Sequence, residues 1–247
     1  MSALDFSHAE SQWNSLYEML KHLQLQIHIM PNVSYVDAFY AVSRHGFITD
    51  KIVLLAHQPV NVARQYAPYL KSFCQSISTL KAHQIQSVRL HPDHHSPLKY
   101  AGYADTFCVD DCLYFGYGSS SDHAVANDLQ SKTGKRVIDL CLHDEYPFLM
   151  DAFLPVNEGQ ALCHPSSMHP DSVSLLAESF MLTTLQDDFS LVPSHSIVLD
   201  QTAIVSEQCY DTQSALSSLG YDVLTVDLGF FQDRRLGPRG LILPIAG

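Results

Sequence analysis

Apolar and polar positions switch between a helical and a strand period several times along this chain of 247 residues. Residues 7–24 begin with a Ser suited to cap a helix, and their apolar side chains then recur every three or four positions, which predicts an amphipathic helix. Shorter apolar runs predict strands, and those separated by Asp, Asn or Gly predict hairpins. The pattern therefore predicts an α/β protein.

The elements recur as five units, each predicted to contain a helix, a strand and then a hairpin. Helices are expected at 7–24, 62–80, 123–132, 171–185 and 211–219, and single strands at 25–29, 87–91, 135–142, 189–192 and 221–227. Hairpins are expected at 35–56 with a turn at Arg44-His45-Gly46, at 104–118, at 151–164, at 196–206, and in a closing segment, 231–245, that ends in the strand Leu241 to Ile245. Because one unit alone leaves its sheet edges unpaired, five in succession predict a closed array. An ordinary α/β or α+β domain with a coincidental repeat stays open.

Composition narrows the class of protein. The hydrophobic content of 46% and the charged content of 16% describe a chain able to bury a full core, and a net charge of −12 argues against a nucleic-acid surface. The six cysteines lack zinc-finger spacing, and no apolar run is long enough to span a bilayer. We expect a cytoplasmic protein with a small-molecule partner, no nucleic acid and no membrane contact, and homo-oligomer formation is left open.

Several short segments, in order along the chain, carry a resemblance to a known family. They are Phe39-Tyr-Ala-Val42, Tyr100-Ala-Gly-Tyr-Ala-Asp105, Phe115-Gly-Tyr-Gly118 with Asp122, Asp151-Ala-Phe-Leu-Pro155, and Phe231 to Pro244. The chain resembles the pentein superfamily of guanidino-modifying enzymes, and within it the dimethylarginine dimethylaminohydrolases and amidinotransferases. The resemblance implies a five-bladed α/β propeller of five pseudo-repeats that forms a single domain over residues 1–247.

The resemblance also implies a reaction, and the matching positions depart from it. In that family a cysteine of the final segment attacks the guanidinium carbon, and only a thiolate is nucleophilic enough to do so. The family's Arg-Cys-Leu resembles Arg239-Gly240-Leu241, so the nucleophile is replaced by glycine. Other family positions are replaced as well: the histidine by Phe148, the paired glycines by Arg235 and Leu236, an asparagine by Val42, and the arginine that grips a substrate carboxylate by Ser120.

Three residues that match or nearly match the family pattern remain candidates. Asp105 and Arg239 are candidates for substrate binding, and Asp151, displaced by one place, is a catalytic candidate together with His143. A carboxylate satisfied by backbone N–H groups is the alternative for Asp105. A structural ion pair is the alternative for Arg239.

Histidines near two predicted strand ends form a second candidate constellation. His91, His94 and His143 lie beside carboxylates in His91-Pro-Asp-His94-His95 and His143-Asp144-Glu145, and imidazole with carboxylate suits a divalent metal. No fixed ligand spacing accompanies them, so solvated loop histidines are the alternative and no cofactor is expected. Cys163 and His164 are neighbours on a predicted strand, so their side chains point to opposite faces and cannot form a nucleophile and base pair.

Three functions remain open from the sequence, and whether the protein is an enzyme stays open with them. The first is a divergent relative of the guanidino-modifying enzymes that binds a guanidino or amino-acid-like molecule without the family thiol. The second is an enzyme on the same scaffold that uses histidine, carboxylate or metal chemistry. The third is a structural or protein-interaction propeller whose channel is filled by residues such as Phe148, Leu149 and Phe153.

Overall fold

The computed structural model describes residues 3–31, 41–57, 63–89, 97–188 and 192–245. Within them the strands form four sheets of three strands each. Every sheet contains an antiparallel hairpin and a third strand that runs parallel to the second one. A helix connects the second strand to the third, as parallel neighbours require.

Most of these elements overlap the predicted helices and hairpins. The helices are α1 Ala3–His22, α2 Ala63–Ser76, α3 Val125–Thr133, α4 Pro170–Ser179, α5 Tyr210–Ser218 and the short α6 Gly229–Gln232. The strands are β1 Gly46–Ile48, β2 Ile52–Leu55, β3 Gln84–Ser87, β4 Thr106–Val109, β5 Cys112–Tyr117, β6 Arg136–Cys141, β7 Phe153–Asn157, β8 Gln160–Cys163, β9 Met181–Thr184, β10 Ile197–Leu199, β11 Thr202–Ser206 and β12 Asp222–Val226. None of the described helices is both long and apolar enough to cross a bilayer.

The grouping of elements into units differs from the prediction. We predicted that each single strand belongs with the hairpin that follows it, whereas β3, β6, β9 and β12 return to the sheet of the preceding hairpin. A crossover through one helix brings the chain back parallel to the strand it left, which explains this order. These third strands are the more exposed edge of each sheet, and burial alternates along β6.

Four local predictions were wrong. Residues 25–29 are irregular, and the first hairpin turns at residues 49–51 and not at Arg44-His45-Gly46. The helix predicted at 171–185 ends at Ser179, and β9 occupies 181–184. The strand predicted at 189–192 lies largely outside the described residues and stays a prediction. The closing strand is replaced by a 3₁₀ turn, Pro238–Leu241, because Pro238 and Gly240 favour a turn over a ladder of hydrogen bonds.

A short 3₁₀ turn stands immediately before the first strand of each hairpin. We number these turns 1 to 4: Val42–Arg44, Gly102–Ala104, Leu149–Asp151 and Pro193–His195. Pro238–Leu241 is the corresponding turn 5 in the closing segment. The turn is therefore found five times, and four of the five turns precede a sheet of the described residues.

The hydrophobic core lies between neighbouring units. Its largest cluster surrounds Phe153, whose ring lies 5.9 Å from that of Phe107 and 5.8 Å from that of Tyr114. A second cluster packs α1 against α6 and the closing segment, through side chains such as Leu16 and Phe231. This packing joins the two ends of the described chain, so the units close on themselves.

Candidate functional site

The five turns form a ring, and each neighbouring pair is in direct contact. Turn 2 meets the start of β1, directly after turn 1, where a Cβ added to Gly102 would lie 2.5 Å from the carbonyl oxygen of Gly46. Only glycine fits there, and the φ of Gly102, +66°, also favours glycine. The remaining junctions are hydrogen bonds: Leu149 N–H to Asp105, His195 to Asp151, Gly237 N–H to His195, and Ser43 Oγ to the carbonyl oxygen of Gly240. The ring brings Asp105, Asp151 and Arg239 together, which are three of the residues singled out from the sequence.

Asp105 is fully buried and accepts three hydrogen bonds. Its Oδ2 atom lies 2.5 Å from Ser120 Oγ and 2.6 Å from Ser121 Oγ, and its Oδ1 atom lies 2.8 Å from the backbone nitrogen of Leu149. Burial raises the pKa of this carboxyl to about 7, although the three donors oppose the shift. Two hydroxyls and one backbone N–H therefore satisfy the carboxylate inside the protein.

Asp151 and His195 form a buried pair. The Nε2 atom of His195 lies 2.7 Å from Oδ1 of Asp151, while Oδ2 of Asp151 accepts the backbone N–H of Phe148 at 3.3 Å. The N–H of Gly237 donates to Nδ1 of His195 at 3.2 Å, so Nδ1 is an acceptor and the ring proton is on Nε2. Burial lowers the pKa of His195. The imidazole is thus neutral and both of its nitrogens are engaged, which leaves no free lone pair for a general base.

Gly240 lies beside this imidazole. A Cβ built on Gly240 would lie 3.5 Å from Nδ1 of His195, but only 2.6 Å from Cδ2 of Leu236 and 3.4 Å from its Cβ. The buried Leu236 side chain therefore occupies the space that the first atom of a cysteine side chain would need. A thiol at this position requires Leu236 to move as well as a change of residue 240.

Two arginines line the same ring. The Arg239 guanidinium carbon lies 3.7 Å from the centre of the Phe107 ring and 4.9 Å from that of the Tyr103 ring. The Arg44 guanidinium carbon lies 4.2 Å from the centre of the Phe148 ring. Both contacts are cation–π stacks, which stabilise a guanidinium that has left bulk water. The structural ion pair that we considered for Arg239 is not formed with any described carboxylate.

Three of the positions that depart from the family pattern, besides Gly240, are part of this closed centre. Phe148 is buried beneath Arg44, and Ser120 holds the carboxylate of Asp105. Leu236 fills the space beside Gly240. Each of these three side chains contacts another ring residue, so the centre is packed around its present side chains.

The histidine-rich candidates lie elsewhere or outside the described residues. His143 is exposed in the loop after β6, and the imidazole beside Asp151 is that of His195. His91 and His94 lie outside the described residues. In the part of the chain that is described, no group of three or more His, Cys, Asp or Glu side chains is arranged to hold a metal ion.

Cys163 does not supply a substitute thiol. Its side chain is buried in the apolar cluster around Phe153, and this burial raises its pKa to about 11. A thiol with that pKa is protonated at neutral pH and is a poor nucleophile.

His195 and Arg44 were not predicted as site residues from the sequence, although both occupy the same position within their repeat units. Each of them stands two residues before the first strand of its hairpin, which is also the position of Asp151. Superposing the units on the hairpin starts would have aligned these three residues. The interval between units is irregular, so the superposition was not evident from spacing alone.

Comparisons with known proteins give structural matches only. No protein-family profile matches the chain, and no curated sequence matches it significantly. The N-terminal domain of ArgZ, an arginine dihydrolase of the ornithine-ammonia cycle in cyanobacteria solved with its substrate, shares 18% identity over 97% of this chain and 87% of its own, with a TM-score of 0.84. AgrE in complex with L-arginine shares 19% identity over 97% of this chain and 36% of its own, with a TM-score of 0.83. A dimethylarginine dimethylaminohydrolase adduct with S-methyl-L-thiocitrulline shares 14% identity over 98% of this chain and 92% of its own, with a TM-score of 0.81.

These matches identify the fold. The chain has the pentein fold, an α/β propeller of five pseudo-repeats, as the resemblance in the sequence predicted. It shares that fold with guanidino-modifying enzymes. At these identities the likeness does not extend to substrate or reaction, which depend on the residues of the site.

Proposed function

We propose that this protein is a divergent, non-hydrolytic relative of the guanidino-modifying enzymes that binds a small guanidino or amino-acid-like molecule at the ring of turns. The observation that carries the proposal is the junction of Gly240, Leu236 and His195. No sulfur is present at residue 240, the adjacent leucine occupies the required space, and the nearest imidazole has both nitrogens engaged. The covalent thiol reaction has neither a nucleophile nor a base at this place.

Binding is proposed because the centre has kept its ionisable residues. Burying Asp105, Asp151 and Arg239 costs several kcal/mol per group unless each is well paired, and an apolar filling of the same volume would be as stable or more so. Clusters of buried ionisable groups with shifted pKa values are typical of functional sites. Proteins with the same fold have been solved with L-arginine and as an adduct with S-methyl-L-thiocitrulline.

A structural or interaction role is the second candidate function. It is favoured by the complete burial of Asp105 and by its three internal donors, which already satisfy most of the acceptor sites of that carboxylate. A channel filled in this way needs no small molecule. The two functions differ in whether any guanidino or amino-acid ligand stabilises the fold.

The test combines turnover and binding in the same samples. The purified protein is incubated with L-arginine, agmatine and asymmetric dimethylarginine, products are followed by mass spectrometry, and ligand-induced shifts of the melting temperature are recorded. We expect no citrulline, ornithine or amine product, together with stabilisation by at least one of these compounds. Turnover would overturn the non-hydrolytic assignment, whereas neither turnover nor stabilisation would favour the structural role.

A further inference from the structure

A thiol and an amine converge at the turn of the β4–β5 hairpin. The Sγ atom of Cys108 donates to the carbonyl oxygen of Asp110 at 3.4 Å, and the Nζ atom of Lys135 donates to the same oxygen at 3.0 Å. Because the two donors share one acceptor atom, the sulfur and the nitrogen lie no farther apart than the sum of these distances. The Nζ atom of Lys135 also lies 3.5 Å from Oδ1 of Asp111, which holds the ammonium beside the turn.

The local fold fixes this meeting point. Gly134 ends α3 with a left-handed φ of +71°, and the chain then enters β6 at Arg136. Arg136 pairs with Cys112 at the start of β5, so the residue before each, Lys135 and Asp111, lie side by side. The end of β4 supplies the thiol on the other side of the same turn.

Both groups are accessible to a reagent in solution. Cys108 is exposed, whereas the other five cysteines are half-buried or buried. The side chain of Lys135 retains 24% of its surface. A compound that reacts with the thiol is therefore placed within reach of the amine.

The protonation of the two groups sets the conditions for reaction. Partial burial raises the pKa of Cys108, and the ammonium of Lys135 opposes this shift. Partial burial by itself lowers the pKa of Lys135, but the nearby Cys108 and Asp111 raise it above its usual value. Acylation of the sulfur removes one of these two partners, so it favours the neutral amine. The amine is thus easier to deprotonate after the thiol has reacted than before.

We propose that Cys108 and Lys135 form an acyl-transfer site, at which a small thioester acylates Cys108 and the acyl group then moves to Lys135. In the first step the Cys108 thiolate forms a bond to the thioester carbonyl carbon, and the bond from that carbon to its original sulfur breaks. The released thiolate takes a proton from solvent. In the second step the neutral amine of Lys135 forms an amide bond to the same carbon, the bond to the sulfur of Cys108 breaks, and the proton that the nitrogen loses restores the thiol.

Proximity gives the second step its rate. Holding an amine next to a bound acyl group converts an encounter in solution into a reaction within one molecule. The product is an amide that carries no charge, so Lys135 loses its ion pair with Asp111. None of these residues belongs to the ring of turns, and the outcome is independent of the proposed binding function.

The test follows acetylation of the intact protein by S-acetyl-N-acetylcysteamine, a small thioester, at about pH 8.5. Peptide mass spectrometry measures the rate at each lysine. We expect Lys135 to be acetylated about tenfold faster or more than Lys132, which lies on α3 and donates to the neutral side chain of Gln86. Lys21, an exposed lysine paired with a carboxylate, is the second reference.

Variants separate the two steps. Cys108→Ser is expected to lower the rate at Lys135 to that at Lys132, and Cys112→Ser, at the other end of the same turn, is the matched control that should leave it unchanged. Lys135→Arg should stop the reaction after the first step, so that the acetyl group stays on Cys108 as a thioester removable by hydroxylamine. The substituted side chains lie at the surface or half-buried beside a turn, and melting temperatures verify that each variant folds.

Acetic anhydride, which acetylates amines directly, measures how reactive Lys135 is without the thiol. With this reagent we expect the same ratio of Lys135 to Lys132 in the wild type and in Cys108→Ser. Equal thioester rates at Lys135 in those two proteins would overturn the proposal. It would also be overturned if acetyl-Cys108 persisted in the wild type without transfer to Lys135.

Discussion

The Nε2 atom of His195 lies 2.7 Å from Oδ1 of Asp151, and this contact joins turn 4 to turn 3 although 44 residues separate the two along the chain. Both side chains are buried. The bond from Gly237 to the other ring nitrogen continues the connection to turn 5. The pair therefore links three of the five turns and fixes the orientation of the imidazole beside Gly240.

Removing either partner of this pair should be costly because the other is left buried without its hydrogen bond. We expect Asp151→Ala and His195→Ala each to lower the free energy of unfolding by about 2–4 kcal/mol. The double variant should cost less than the sum, with an interaction energy of about 1–3 kcal/mol in urea unfolding. The exposed pair His123–Asp139 is the matched control, and its interaction energy should not exceed about 1 kcal/mol. Additive losses at Asp151 and His195 would contradict the pairing.

Restoring a thiol at residue 240 should strain the ring. Gly240→Cys is expected to lower the free energy of unfolding by about 1–3 kcal/mol, because its Cβ would lie 2.6 Å from Cδ2 of Leu236. The loss should shrink in a Leu236→Ala background, which removes the contacting atom. Chemical denaturation of the four proteins of this cycle measures the effect.

The control for that cycle is Gly159→Cys. A Cβ at Gly159 has no neighbour within 4 Å, so the same substitution should be nearly neutral there. If Gly240→Cys were equally neutral, Leu236 would not block the position. A single substitution would then be enough to place a thiol beside His195.

The raised pKa of Asp105 predicts a pH dependence of stability. Its folded-state pKa is about 7, whereas a carboxyl of the unfolded chain titrates near 3.9. The folded protein therefore holds this proton more tightly, and the resulting stabilisation is complete below about pH 3.9 and is lost as the pH rises to about 7. Asp105→Asn cannot ionise, so the falling component between these pH values should disappear.

Urea unfolding of the wild type and of Asp105→Asn across pH 4–8 measures this difference. Asp171→Asn, which removes an exposed carboxylate from the surface, should keep the wild-type profile. Parallel profiles for the wild type and Asp105→Asn would show that Asp105 is ionised throughout.

Cys163 should be unreactive in the native protein. Its burial and its pKa of about 11 predict protection from iodoacetamide at pH 8, followed by rapid labelling in urea. Cys108 is exposed and provides an internal reference in the same sample. Peptide mass spectrometry reads both sites, and native labelling at Cys163 faster than at Cys108 would indicate a reactive thiol in the core.

Hairpins were the part of the fold most readily predicted from the sequence. The turns at Asp110-Asp111 and Asn157-Glu158-Gly159 stand between β4 and β5 and between β7 and β8, as expected, because these residues tolerate the required backbone angles. The helices were predicted from a different signal, because their apolar stripes extend over several helical turns. The third strands were harder because they are short and half-exposed.

The site could be predicted only in part. Asp105, Asp151 and Arg239 were found through short motifs, and the structure brings them into one ring. His195 was not found because its role comes from a contact with a residue in another unit, and turns of three or four residues leave no periodic pattern. The space filled by Leu236 beside Gly240 likewise follows from packing and not from sequence spacing.

The most direct test of a centre that binds without converting its ligand is a carbon-13 NMR spectrum of guanidino-labelled L-arginine mixed with a stoichiometric amount of the protein. The account predicts that the guanidino resonance shifts or broadens on binding and that its integral stays constant over a day. A new resonance from a ureido carbon, or from carbon dioxide, would show hydrolysis and would contradict it.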